Sequence, residues 1–93
     1  MNKYLVEFLG TMFLMYTILV TGNWAAIGGA LAIAALLGGP ISGGSYNPAV
    51  SCALYAAGKL EKADLLPYII VEVLGALAAL YAYNIYVKKN SKN

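Results

Sequence analysis

Ninety-three residues, 61% hydrophobic and 11% charged, with a mean hydropathy of +0.72, lie outside the composition of a soluble domain, which is nearer half apolar and a quarter charged. The net charge of +2 comes from six lysines, placed at the two ends and in one short loop, and there is no arginine or histidine and a single cysteine. That pattern argues against a nucleic-acid surface, an intrachain disulfide, a metal site, a cofactor or an enzyme built on a nucleophile and base, and leaves a multi-pass integral membrane protein whose first partner is the lipid bilayer.

A chain of this length holds about three spans of roughly 20 residues, so one membrane domain over 1–93 is expected. The first span is read over 4–21. Lys3 ahead of an apolar run resembles the start of a signal peptide, but Glu7 interrupts the run and no small-x-small cleavage site follows. The second span is read over 24–39, with small residues at Ala26, Ala30, Ala34 and Gly38, and Gly28 and Ala32 close to that stripe. Small stripes let helix backbones approach closely in lipid, where hydrophobicity gives no drive for association.

Residues 40–57 break the pattern. "PISGGSY" reads as non-helical, and "PAVSCALYAA" as an apolar helix of about ten residues, half the length needed to cross. Asn47 is a good N-cap and Pro48 suits the first helical position, where its missing N–H is no loss. Ser42, Ser45 and Ser51 read as loop and cap residues, and Cys52 as a small packing residue. Irregular backbone at membrane depth is tolerated only when buried in protein or lining a water-filled cavity, so the loop is expected to re-enter the membrane with its carbonyls on a pore. A third span is read over 65–87, after Lys59 and Lys62 and next to Pro67, with Gly75, Ala79 and Ala78, Ala82 repeating the small pattern. Three spans put Lys3, Lys59 and Lys62 on one side and Lys88, Lys89 and Lys92 on the other, a three-to-three tie compatible with insertion in both orientations.

"ISGGSYNPAVS", with Asn47-Pro48-Ala49, resembles the signature loop of the aquaporin and glycerol-channel family, the major intrinsic proteins. "EFLGTMFLMY" (7–16) is similar to that family's first span and "YIIVEVLGALAA" (68–79) to its third, so the resemblance covers nearly the whole chain. It implies an all-α, half-aquaporin fold: three transmembrane helices and one re-entrant half-helix. Family members join two such halves by inversion, and this chain resembles the first, with Val50 after the motif where the second half usually has Arg. A second, inverted copy is the economical way to complete a pore, with four pores per assembly as in the family.

The resemblance also implies roles. The Asn47 amide donates to a passing oxygen, and the carbonyls of Gly43, Gly44 and Ser45 form an acceptor ladder leading to it. Glu7 corresponds to a glutamate that accepts from backbone N–H groups of the re-entrant loops. Glu72 stands where the first half usually has Gln, and is expected either to brace the loop or to be protonated and donate. The constriction positions fall on Ile27 from one copy, with Ala35 and Val50 from the other, and Tyr46 is expected to narrow the opening. These expectations describe a passive channel for water and small neutral, glycerol-like solutes. The alternatives are a half-channel needing a different partner chain, and a non-conducting structural membrane protein that keeps the fold.

Overall fold

The computed structural model describes residues 1–91 and contains, among them, four helices and no strand. Lys92, part of the charge tie, lies outside the described residues.

Helix α1 runs Lys3–Thr21. The Asn2 side chain caps its start by accepting from the Tyr4 and Leu5 amides, and Gly22, in the left-handed region at φ 53°, ends it. Asn23 immediately caps the next helix by accepting from the Ala26 amide, so α2, Trp24–Ser42, turns straight back along α1. The short helix α3, Pro48–Ala56, starts at Asn47 and is nine residues long. Helix α4, Lys62–Asn90, is the longest. Helices α1, α2 and α4 are each long and apolar enough to cross a membrane; α3 rises only about 14 Å, far short of the hydrocarbon core.

Helix α1 is the common neighbour, packed against α2 on one side and α4 on the other, while α3 lies against α4. Close approach follows from small residues. A Cβ on Gly75 of α4 would run into the Phe8 carbonyl and the Met12 amide of α1, so these two backbones are nearly in contact. Ala30, Ala34 and Gly38 form the buried stripe of α2, but Gly28 and Ala32, read as adjoining it, are exposed. At one end Lys3 Nζ pairs with Asp64 Oδ2 at 2.8 Å and the Tyr4 hydroxyl donates to Asp64 Oδ1 at 2.7 Å, tying the starts of α1 and α4 together.

Two boundaries correct the sequence reading. Helix α2 does not stop at residue 39 but continues through Pro40 to Ser42, so the irregular loop begins at residue 43. Pro40 removes one backbone donor, yet the helix continues past it, and the real stop is Gly43, at φ 89° with its N–H on the Gly39 carbonyl. Helix α4 extends beyond 65–87 by a turn at each end, because Asp64 at its start and Lys88 and Lys89 at its finish suit the helix dipole.

Candidate functional site

The loop over 43–46 is arranged by where its polar groups go. The Gly43 amide bonds Gly39 O at 2.8 Å and the Gly44 amide bonds Ser42 Oγ at 3.2 Å. The Ser45 amide donates to Glu7 Oε2 at 3.1 Å and the Tyr46 amide to Glu7 Oε1 at 2.8 Å. Four successive N–H groups are thus held by protein. Among the described residues, no hydrogen bond reaches the carbonyls of Gly43, Gly44 or Ser45. A run of acceptors is left open beside a run of satisfied donors, with Gly43 exposed and Gly44 half-buried, and at membrane depth such oxygens need a partner.

Glu7 is the anchor of this arrangement. It is fully buried, and its carboxylate also accepts from Ser42 Oγ at 2.6 Å. Gly43 and Gly44, at φ 89° and 67°, take left-handed conformations that only glycine adopts at little cost. Tyr46 takes one too, at φ 54°, and is held by its side chain. Its ring fills the space that Cβ atoms on Gly10 and Gly38 would occupy, and it is 3% exposed. The expectation that Tyr46 narrows an opening is therefore corrected: its ring is wedged between α1 and α2, because the chain's turn at residues 43–46 aims it back into the bundle.

Asn47 follows, exposed, with its Oδ1 capping α3 through the Ala49 amide at 2.8 Å. That cap fixes the amide so that its NH₂ faces away from the helix, and the helix end adds roughly half a positive charge. Pro48 is half-buried and Ala49 exposed at the start of α3. Ser51, fully buried, donates to Glu72 at 2.8 and 3.1 Å, fastening α3 to α4. Ile27, half-buried, and Ala35, exposed, lie two turns apart on α2, and Val50, exposed, lies on α3. Ser42 is more than a loop residue. It links Glu7, the Gly44 amide and, through its carbonyl, the Tyr68 hydroxyl at 2.6 Å. The signal for Tyr68 was only its place on the third span, one turn before Glu72.

Three apolar spanning helices, and between them an Asn-capped half-helix reached through a braced loop, define an integral membrane protein with an aquaporin-like fold. The family described as major intrinsic protein matches residues 22–93, and the chain belongs to that family. It is 38% identical, over 94% of its length, to "Glycerol uptake facilitator protein-like 6" of Lactiplantibacillus plantarum, covering 44% of that protein. It is 37% identical over its whole length to "Aquaporin Z" of Brucella melitensis biotype 1, covering 46% of it, and 35% identical over 91% to "Nodulin-26" of Glycine max, covering 34%. The chain therefore spans less than half the length of these curated relatives. No solved structure matches it.

Proposed function

We propose that the chain forms a passive channel for water and small neutral solutes of the glycerol kind, with a pore enclosed by two copies inserted in opposite orientations. The observation that carries this is the division of polar groups in the loop: donors engaged by Glu7 and Ser42, acceptors of Gly43, Gly44 and Ser45 open, and the Asn47 amide at the end of the row. A solute hydroxyl or water donates to such oxygens and accepts from the amide, exchanging its hydration for fixed partners. The helix end beside Asn47 repels cations. Relatives named for glycerol uptake and as an aquaporin support the solute class.

One half-channel does not surround a path. The even distribution of lysines supports a second copy, inverted, as the other wall, so that two α3 helices meet at their N-termini. Ile27 of one copy then faces Ala35 and Val50 of the other, an apolar constriction that passes solutes larger than water. The test is stopped-flow swelling of vesicles holding only the purified chain: permeability to both water and glycerol is expected. No flux from the chain alone, restored by a second half-channel protein, moves the function to a mixed pore. No flux under either condition leaves a non-conducting structural role.

A further inference from the structure

Burial in this bundle stops halfway along its length. Among the described residues, the last buried position of α1 is Thr11, α2 has none before Ala30, and α4 has none after Ala79. The short helix covers one half of α4. Ser51 bonds Glu72 and the chain then enters α4 at Lys62, so α3, about 14 Å long, lies along the stretch from Lys62 to Glu72, about 15 Å.

Beyond Glu72 a groove of about 330 Å³ takes over. Asn47 and Pro48, the first turn of α3, close one end of it, and its walls are Leu14 and Ile18 of α1 and Ala76 and Leu77 of α4. The groove therefore leads away from α3, past its own start. Thr11 lines it too, 6% exposed, and its Oγ1 has no hydrogen-bond partner among the described residues.

We infer that the α3 helix of a second, inverted copy occupies this groove, with its first turn set against Thr11. The inference rests on the inverted pair proposed above and says where the partner's half-helix is seated. A two-fold axis between two helix starts that meet sends each α3 along the continuation of the other, which is where the groove runs. The lengths agree: from Thr11 to Thr21 α1 rises about 15 Å, room for one α3. The surfaces agree as well, because α3 leaves Val50, Cys52 and Tyr55 exposed and the walls are apolar. An acyl chain would cover those walls but brings nothing to bond Thr11 Oγ1 at membrane depth. The turn at residues 46–48 of a second copy brings backbone carbonyls and the Asn47 amide.

Disulfide trapping tests the seat through Cys52, the chain's single cysteine. Wild type is co-expressed with an Ile18→Cys, Cys52→Ala variant carrying a longer tag, so that a bond between residues 18 and 52 forms only between copies. Oxidation of the isolated membranes should give a band of mixed size, absent when Leu9→Cys, on the opposite face of α1, replaces Ile18→Cys. Leu77→Cys repeats the test from the α4 wall should Ile18→Cys fail to fold. Adding Thr11→Val should lower the yield of the mixed band, and adding Thr11→Ser should keep it. Labelling of both termini in the same intact cells separates the seat from the pair. Copies in both orientations with no mixed band from either wall leave the inverted pair standing and overturn the seat, the groove then being filled by lipid. A single orientation overturns the pair and the seat together. An undiminished yield with Thr11→Val overturns the contact at Thr11.

Discussion

The Tyr46 hydroxyl donates to the Ala34 carbonyl at 2.6 Å, and so fixes the re-entrant loop to the middle of α2. The ring behind that hydroxyl lies in a notch formed where α1 and α2 carry Gly10 and Gly38. A left-handed backbone at a non-glycine residue costs about 1–2 kcal/mol, and close van der Waals packing of the ring in that notch, together with the hydroxyl's bond to Ala34, offsets it. The ring therefore holds the strained turn.

Removing only the hydroxyl should weaken this fastening modestly. Tyr46→Phe leaves one carbonyl contact unmade and is expected to cost about 1 kcal/mol, read as a lowered thermal midpoint in detergent. Gly38→Ala, whose new methyl would overlap the ring oxygen, should cost more, and combining the two should recover part of that loss. Additive effects would show that the notch and ring do not meet.

Replacing Asn47 with Asp retains a capping oxygen but puts negative charge at the helix end that otherwise repels cations. Cation leak should appear in vesicles while neutral flux falls or persists. Unchanged ion and solute permeability would remove Asn47 from the path.

Orientation follows from the lysine distribution. Cysteines introduced at each terminus should each be labelled from both sides of intact cells. Three added lysines at one terminus should bias the population and lower flux together, since only opposed copies form a pore. Uniform orientation with undiminished flux would rule out the inverted pair.

At the constriction, Val50→Arg introduces a permanent cation with five donors. Glycerol permeability should fall more than water permeability. An unchanged ratio in a conducting variant would show that residue 50 does not line the narrowest point.

Much of this architecture was legible because the membrane allows few solutions. Apolar runs ending at Gly22 and resuming at Trp24 specify two antiparallel spans, and Asn47 with Pro48 specifies a helix start wherever it occurs. The extent of α2 was hidden because Pro40 signals a break locally, while the backbone goes on to the first glycine able to reverse it. Tyr46 was misread for a related reason. Adjacent to the motif in sequence, it turns away from it in space, toward glycines 36 and 8 positions earlier. The bond from Ser51 to Glu72 depends on α3 lying against α4, a meeting that spacing along the chain does not reveal.

The order in which the chain leaves the ribosome gives these contacts different histories. Glu7 precedes the amides it braces by 38 and 39 residues, so the loop's anchor is already synthesised when the loop appears. Ser51 must wait 21 residues for Glu72, and Ser42 waits 26 for Tyr68. During that interval the half-helix is too short to cross and has no α4 to lie against. The order of synthesis thus makes the group that braces the loop available before the ones that fasten α3 and Ser42 to α4.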